Sequence, residues 1–556
     1  MLALAAFSFA FAFASAQPAC ETILYNGKIT TMDAKNTEAR SITLRGDRIS
    51  SVANGTGVPQ HERCAQLIDL KGRRVVPGLI DSHNHIVQVA LRPGHDVRLD
   101  LATSIADVQY FLRERASAVP QGDWISAVDG WSPEQLAEKH MPTLGDLDAA
   151  APNHPVYVQI GFDGPAATNS KGKTFFEQKG IVVAADGSIA INEPTDAAYR
   201  ALVSTVTFAD QKRGAADVMA YAASFGLTMS DDKGGPWLAD TPGASGLAEV
   251  SSKTNAQNPV TEYNAFLALA REDKMTMRLR IFFYMQDKTP ELSFLRARLN
   301  NDFPDFGSDW IKVSGIGERI YSGGFPLTAG ASSTLYDSAA LMIAQSGWAH
   351  DEHAMALDDE KAFTSSWERI NRQVPLAPLR WCLAHVPGID DDTLGRLKAM
   401  GVGVSLAGSR YTASTPPRIA PKDIPPFRRI VESGVHAGYG SDGGTVSALD
   451  PWLHISYMVT GRNSAGQLVA ADQTLTRMQA LRMYTASQPW FTREDDKLGS
   501  IEAGKLADLV VLSKDYLDPV AVPDEEIRRI SSVLTIIGGR VVHNTGALSI
   551  ASPNSN

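Results

Sequence analysis

The chain has 556 residues, 44% of them hydrophobic and 21% charged, an ordinary composition for a large globular protein that buries a sizeable core. Acidic residues outnumber basic residues by 62 to 52 and no basic run occurs, which argues against a nucleic-acid partner. Three cysteines are too few for a disulfide framework. The length allows several domains, or one α/β barrel with additions.

The N-terminal run at residues 1–16 has no charged side chain and ends in Ala-Ser-Ala, a small-x-small sequence typical of signal-peptide cleavage. We therefore predict a signal peptide at residues 1–16 and a secreted or periplasmic protein. A membrane anchor is the alternative, although the run is short for a bilayer span. No other stretch is long and apolar enough for a transmembrane helix.

Both ends of the chain carry hairpin patterns. Short apolar runs flank an Asn-Gly pair at residues 26–27 and a Gly-Gly pair at residues 538–539, and such pairs favour tight turns between strands. We expect segments 17–74 and 490–550 to pair into one small β-sandwich beside a central domain.

The run VVPGLIDSHNH at residues 75–85 is the strongest functional signal in the chain. Side chains at positions i and i+2 of a strand point to the same side, so His83 and His85 can bind one metal ion at a strand's C-terminal end. A chance His-x-His in a surface turn is the alternative. The apolar run that precedes the histidines favours the metal site.

Between the chain ends, apolar strands alternate with helical stretches, the pattern of βα units. Eight segments are strand-like, the number that a closed (β/α)8 barrel requires. They begin at Val75 and continue at residues 227–232, 277–283, 310–313, 347–353, 380–385, 402–406 and 436–441. We predict an α/β barrel over residues 75–489, with an insertion at about 101–206 whose secondary structure the sequence does not define.

Ionisable residues lie at several of these strands, far apart in the sequence. Lys312, His353, His385 and Asp442 each lie at or near the end of an apolar segment. In a barrel, the C-terminal ends of all strands meet at one mouth, where catalytic groups of this fold lie. The pattern therefore predicts one polar site that also includes the two histidines of the first strand.

The chain resembles the amidohydrolase superfamily, and within it amidohydrolase family 3. The resemblance spans nearly the whole mature chain. Its motifs are PGLIDSHNH at residues 77–85, NSK at 169–171, GSD at 440–442, GSIEAGKLADLVV at 499–511 and TIIGGRVV at 535–542.

The resemblance implies one or two divalent metal ions, with zinc the first expectation. It implies as ligands His83, His85 and Asp442 for one ion, His353 and His385 for a second, and Lys312 as a carbamate that bridges both. A carbamate would be chemically sensible, because an unmodified ammonium group is a poor neighbour for two cations, and burial and nearby cations lower a lysine's pKa.

The resemblance also implies a function. A metal-dependent hydrolase would cleave a non-peptide amide-type C–N bond of a small molecule, with Asp442 taking a proton from the attacking water and delivering it to the leaving nitrogen. The alternatives are a deaminase or a cyclic amide or ester hydrolase on the same metal site, and a non-catalytic binding relative. We also allow for a homo-oligomer.

Three departures from the family pattern limit this transfer. The Asp-Gly that often follows the bridging lysine is absent after Lys312, which leaves an ordinary lysine as the alternative. His350 competes with His353 within a His-Asp-Glu-His run, although the spacing from Gly347 favours His353. Pro165 stands where relatives often carry a histidine.

Three residues are candidate substrate contacts. Asp163 and Asn169 lie near Pro165 in the insertion, and Arg319 lies beyond the fourth predicted barrel strand. Roles in solvated loops are the alternative for all three. Such barrels host many chemistries through variation of their loops, so the substrate class depends on the site and not on the fold.

Overall fold

The computed structural model describes residues 21–55, 66–161, 163–235, 261–285, 287, 289–320, 330–408, 411–412, 424, 426–444 and 446–551. The predicted signal peptide at residues 1–16 lies outside this part, so export stays a prediction. Across the described ranges, no helix combines the length and the apolar character that crossing a membrane requires.

The secondary structure follows in chain order. The strands are β1 Glu21–Tyr25, β2 Lys28–Thr30, β3 Glu38–Ala39, β4 Ser41–Arg45, β5 Arg48–Ala53, β6 Gln66–Asp69, β7 Arg74–Pro77, β8 Leu79–Asn84, β9 His95–Asp96, β10 Ile125–Val128, β11 Val156–Gln159, β12 Ala166–Thr168, β13 Ser188–Ile189, β14 Leu227–Asp232, β15 Arg278–Phe283, β16 Ile311–Ile316, β17 Ala349–Ala354, β18 Cys382–His385, β19 Gly403–Ala407, β20 Ala437–Gly440, β21 Leu509–Leu512, β22 Ser532–Ile537, β23 Arg540–Asn544 and β24 Ile550–Ala551. The helices are α1 Ile86–Ala90, α2 Ile105–Ala118, α3 Leu144–Ala150, α4 Ser170–Gln178, α5 Glu193–Val203, α6 Phe208–Ser224, α7 Asn264–Arg271, α8 Ser293–Asn301, α9 Gly330–Gln345, α10 Leu357–Asn371, α11 Asp391–Met400, α12 Phe427–Ser433, α13 Pro451–Thr460 and α14 Arg477–Met483. Short 3-10 helices cover Pro133–Gln135, Ala377–Leu379, Ala471–Gln473, Gln488–Thr492 and Asp524–Arg529.

The central domain is a nearly closed barrel of eight parallel strands. Its order is β8, β14, β15, β16, β17, β18, β19 and β20. Just beyond β20, the N–H of Asp442 donates to the carbonyl of His83 in β8 over 2.8 Å, so the last strand returns to the first. The predicted (β/α)8 barrel is confirmed.

The first barrel strand begins later than the sequence predicts. Val75 and Val76 belong to β7, which pairs with β21 in a different sheet, and the barrel strand β8 starts at Leu79. Gly78 separates the two strands, and a Cβ there would lie 2.2 Å from Thr228 Oγ1. Both strands are fully buried, and apolar residues continue on both sides of Gly78 from Val75 to Ile80, so hydrophobicity alone does not separate the two strands.

Strands from both chain ends form two further sheets. One has the order β24-β6-β1-β4-β5, and the other has the order β23-β22-β21-β7-β2-β3. A single apolar cluster contains Leu24 and Ile42 from the first sheet and Val511 and Leu534 from the second. The two ends of the chain therefore share a hydrophobic core, while the predicted domain borders stay predictions.

The insertion between β8 and β14 has its own sheet, of order β13-β12-β11-β10-β9. It begins with β9 at His95–Asp96, slightly before the predicted start at about residue 101. Helices α2 to α5 lie in the same part of the chain, and its apolar side chains form clusters separate from that of the barrel. Its strands have only two to four residues each, too few for a readable alternation.

Candidate metal centre

Four imidazoles and two carboxylates meet at the C-terminal mouth of the barrel. We call this set the mouth cluster. It consists of His83 in β8, His85 just beyond it, Glu318 beyond β16, His353 in β17, His385 at the end of β18, and Asp442 beyond β20. Five of these six residues are among the predicted ligands, and Glu318 is new.

Glu318 lies at the centre of the mouth cluster. Its Oε2 atom is 2.9 Å from His83 Nε2 and 3.3 Å from His353 Nδ1. The same oxygen is 3.7 Å from His385 Nε2 and 3.9 Å from His85 Nε2. One carboxylate therefore faces both predicted histidine pairs, which is the position that a bridging ligand needs.

Asp442 closes the cluster on the opposite side. Its Oδ1 lies 3.3 Å from His85 Nε2, and its Oδ2 lies 3.7 Å from His385 Nδ1. A Cβ at Gly440 would lie 2.3 Å from the Cβ of His83, so the glycine lets β20 approach β8 closely. Asp442 and His385 have φ angles of 55° and 69°, in the left-handed region that costs a non-glycine residue about 1 kcal/mol or more.

The two histidines of the first strand are held by contacts behind them. The ring of His85 places Nδ1 2.6 Å from the carbonyl of Gly234, so Nδ1–H donates there and Nε2 faces the cluster. His83 Nδ1 lies 3.5 Å from Asp351 Oδ1, and Lys233 Nζ lies 3.2 Å from Asp351 Oδ2. Such contacts fix the ring and the tautomer of metal-binding histidines.

The electrostatics of the cluster are dominated by its own members. Burial alone would raise the pKa of Glu318, but His353, His385 and His83 hold it well below its usual value. Burial and the neighbouring His385 lower the pKa of His353 to about 4. Burial opposes protonation of His83, yet Asp351 and Glu318 raise its pKa to about 10. An ionised carboxylate and a neutral imidazole are the forms that bind metals, and a proton on His83 would leave as a metal binds.

The donor set fits a divalent metal ion such as zinc. Two groups of three residues each bring their ligand atoms within 4.8 Å of one another. The first group is His83, Glu318 and His385, and the second is His83, His85 and Asp442. His385 is 2% exposed, yet neither of its ring nitrogens has a hydrogen-bond partner within the described part of the chain. Buried nitrogens aimed at two carboxylates suit metal coordination by nitrogen and oxygen ligands.

Lys312 is not part of the mouth cluster, which corrects the predicted carbamate bridge. It is the second residue of β16, whereas Glu318 follows the C-terminal end of the same strand. Its Nζ lies 3.1 Å from Glu494 Oε1, and Glu494 also pairs with Arg280 at 2.6 Å. Six residues of strand span about 20 Å, so Lys312 is at the wrong end of the barrel to reach the histidines.

Glu318 was missed although a signal for it existed. Asp442 lies two residues beyond the last residue of β20, and Glu318 lies two residues beyond the last residue of β16. An acidic residue at this offset from a barrel strand points into the mouth in both cases. The apolar run predicts that the fourth strand ends at residue 313, so the sequence pattern does not place Glu318 at a strand end.

The competition between His350 and His353 is resolved by the two faces of β17. His353 faces Glu318, whereas His350 packs with its ring centroid 5.8 Å from that of Trp367 and 5.0 Å from that of Trp381. His350 Nδ1 also lies 3.0 Å from the carbonyl of Ile316. His353 is therefore the candidate ligand, as predicted.

The three candidate substrate contacts lie in different surroundings. Asn169 is fully buried and accepts N–H groups from Val156 and Gly172 over 3.0 and 3.1 Å, so it holds the insertion together and does not contact substrate. Asp163 is half-buried, and its carbonyl accepts the N–H of Asn192 over 2.7 Å. Arg319 directly follows Glu318, beside the mouth cluster, and stays a candidate.

Known proteins similar to this chain include several hydrolases. The model described as the amidohydrolase family matches residues 66–543. N-substituted formamide deformylase of Arthrobacter pascens is 24% identical over 563 aligned positions, which cover 93% of this chain and 97% of the relative.

Two solved structures have the same overall fold. An uncharacterized metal-dependent hydrolase from Pyrococcus horikoshii OT3 is 17% identical with a TM-score of 0.56, over 89% of this chain and 98% of that chain. Atrazine chlorohydrolase from Arthrobacter aurescens TC1, complexed with zinc, is 15% identical with a TM-score of 0.52, over 94% and 95% of the two chains.

Proposed function

The chain belongs to the amidohydrolase family, and on this premise we propose that it is a metal-dependent hydrolase of an amide-type C–N bond in a small molecule other than a peptide. One observation carries the proposal: Glu318 Oε2 lies within 3.9 Å of all four mouth-cluster imidazoles, opposite the Asp442 carboxylate. A purely structural site would not need three buried imidazoles and a fourth that is 17% exposed around one carboxylate.

The candidate ligands divide into two groups, one for each ion. His83, His85 and Asp442 would hold one ion, and His353 and His385 would hold a second, with Glu318 facing both groups. A divalent ion held by these residues would supply Lewis-acid chemistry, since it would polarise a substrate carbonyl and lower the pKa of water near it. Cation–carboxylate chemistry of this kind needs no modified lysine.

Asp442 is the proposed proton carrier. Its side chain is 6% exposed, and the two carboxylate oxygens face His85 and His385 at 3.3 and 3.7 Å, so the carboxylate is held in one orientation away from bulk water. A carboxylate in this place accepts a proton from the attacking water and delivers it to the leaving nitrogen. The N–H that donates to His83 fixes the backbone of Asp442 as well.

N-substituted formamides and cyclic amides are the first substrates to test. The formamide deformylase named above aligns with 93% of this chain, so its printed substrate is the starting point. Deamination has less support, because the candidate acid Glu352 lies 3.3 Å from His350 Nε2 and thus belongs to the tryptophan-lined face of β17.

The test uses the zinc-loaded full chain with N-alkyl formamides, cyclic amides and aminopyrimidines. We expect formation of a carboxylate and an amine, and abolition of turnover by His385→Asn. Lys497→Gln, a change of a half-exposed lysine outside the mouth cluster, serves as the matched control and should keep activity. Release of ammonia from aminopyrimidines alone would replace the proposal by deamination, and an inactive zinc-loaded chain across all three groups would reject it.

A further inference from the structure

A polar cavity lies outside the mouth cluster, between the barrel and the insertion. Its volume is about 300 Å³, and it lies among α1, α6 and the segment around β9. We call it the arginine cavity. Its polar lining residues are Arg92, Arg98, Arg115, Asp96, Asp217 and Tyr221, and none of the six mouth-cluster residues lines it.

Arg92 enters this cavity with one of its nitrogens unsatisfied. The side chain is 2% exposed, and Nη2 donates to the carbonyl of Gly444 over 2.9 Å. Nη1 is buried 3.6 Å from Asp96 Oδ1 and has no hydrogen-bond partner in the described ranges. A buried guanidinium N–H without an acceptor is costly, and a bound anion would supply that acceptor.

Arg98 presents the same feature beside it. Its side chain is 9% exposed, and Nε lies 2.9 Å from Asp96 Oδ2. Its Nη2 is buried without a hydrogen-bond partner among the residues described. The guanidinium carbon lies 5.9 Å from the ring centroid of Tyr221, which keeps the group at the cavity wall.

The charges of the lining leave an excess of one positive charge. Arg115 pairs with Asp217 at 2.8 Å, so Arg92 and Arg98 share the single carboxylate of Asp96. Two more carboxyl groups lie close by. Tyr221 donates to Asp100 over 3.0 Å, and Asp129 Oδ2 lies 3.7 Å from Arg92 Nη2. Burial raises the pKa of both carboxyl groups, that of Asp129 to about 7, so Asp129 neutralises the arginines incompletely at neutral pH.

We propose that the arginine cavity binds a small oxyanion, such as phosphate, sulfate or the phosphate group of an ester. Arginine binds such oxyanions through paired N–H groups, and Arg92 and Arg98 offer unpaired N–H groups within one cavity. The volume of about 300 Å³ exceeds what a single phosphate needs and leaves room for a small organic group.

An occupied cavity would also steady the catalytic mouth. Arg92 holds the carbonyl of Gly444, and the neighbouring Gly443 accepts the N–H of His85 over 2.9 Å. Gly443 and Gly444 directly follow Asp442 in the chain. Fixing Arg92 therefore fixes the segment that carries the proposed proton carrier.

The test is calorimetric titration of the zinc-loaded full chain with sulfate, inorganic phosphate and glycerol phosphate. We expect saturable binding that weakens about tenfold or more in Arg98→Gln, because a charged hydrogen bond is lost. Arg113→Gln is the matched control, since Arg113 is exposed and donates to the carbonyl of Gln109 in its own helix. Tighter binding of glycerol phosphate would assign the cavity to a phosphate ester, and tighter binding of inorganic phosphate to the free ion.

A second pair of variants keeps the test decisive if Arg98→Gln fails to fold. Ala220 is exposed and lines the cavity, so Ala220→Glu should weaken binding by repulsion, while Ala220→Gln should not. His385→Asn separates this site from anion binding to zinc. Absence of saturable binding, equal affinity in Ala220→Glu and Ala220→Gln, or loss of binding in His385→Asn would each overturn the proposal.

Discussion

The two ends of strand β16 carry opposite charges in opposite surroundings. At the N-terminal end, Lys312 contacts Glu494, which is also held by Arg280. Beyond the C-terminal end, Glu318 faces four imidazoles at the mouth. A charged residue of β16 therefore belongs to the ion-pair network or to the candidate metal centre according to the end of the strand at which it lies, and not according to the sign of its charge.

Glu318→Gln is expected to have the largest effect, because it changes the residue at the C-terminal end of β16. The amide keeps the shape of the side chain but removes the negative charge that faces all four imidazoles. We expect kcat/KM and zinc affinity each to fall by at least about 10²-fold, because even contacts behind metal ligands are worth about 10- to 100-fold. Steady-state kinetics and a competition titration with a zinc chelator measure the two quantities, and activity near that of the wild type would contradict the central role of Glu318.

Asp351→Asn tests a contact that lies behind the mouth cluster. The carboxylate lies between His83 Nδ1 and Lys233 Nζ, so its loss removes the charge that orients the His83 ring. We expect zinc affinity to fall by about 10- to 100-fold while the fold is kept, as for other contacts behind metal-binding histidines. The chelator competition measures this, with Asp309→Asn as a matched change at a half-exposed acid; equal affinities in both variants would show that Asp351 does not position His83.

Lys312→Met tests the other end of the strand. The substitution breaks the ion pair with Glu494, whose side chain is 2% exposed, but Arg280 still neutralises that carboxylate. We therefore expect a loss of about 1–2 kcal/mol in the free energy of unfolding, below the 3–5 kcal/mol of an isolated buried pair, and unchanged kcat/KM. Denaturant unfolding and kinetics measure the two effects; a collapse of activity without loss of stability would return Lys312 to the active site.

The smallest expected effect concerns His436, which directly precedes β20 at the end opposite Asp442. Its ring stacks on Trp490 with centroids 4.2 Å apart, and Nε2–H donates to the carbonyl of Ser487 over 2.7 Å. Burial lowers its pKa to about 4. As the pH falls, the unfolded chain therefore binds this proton before the folded chain does. The free energy of unfolding then decreases from about pH 6.5 to about pH 4, by at most about 1.4 kcal/mol per pH unit.

His436→Phe should remove this share of the acid sensitivity. The phenyl ring can keep the stack on Trp490 and has no group to protonate. We expect the free energy of unfolding to fall less in the variant than in the wild type between pH 7 and pH 4. Urea unfolding midpoints at both pH values measure this difference. A difference that does not change with pH would show that His436 is already charged or solvated in the folded protein.

Much of the barrel and most of the mouth cluster are readable from the sequence, for a physical reason. His83, His385 and Asp442 each follow a buried apolar run, and apolar runs mark barrel strands whose ends share one mouth. The same reasoning does not find the end of β16, because Ser314 and Gly315 interrupt its apolar residues before Ile316. Gly315 is required there, since a Cβ would lie 2.4 Å from the ring of Phe282.

Other features needed the structure. The break between β7 and β8 depends on the approach of Thr228 to Gly78, a contact between residues far apart in the chain. The role of Asn169 depends on which N–H groups reach its side chain, and a polar residue in a recognisable motif gives no sign of that. Short strands in the insertion carry too few residues for a pattern.

The most direct test of this account is the zinc content per chain of the wild type, Glu318→Gln and Lys312→Met, loaded and washed identically. We expect the full wild-type zinc content in Lys312→Met and a reduced zinc content in Glu318→Gln. Full content in Glu318→Gln together with loss in Lys312→Met would contradict it and return the bridging role to the lysine.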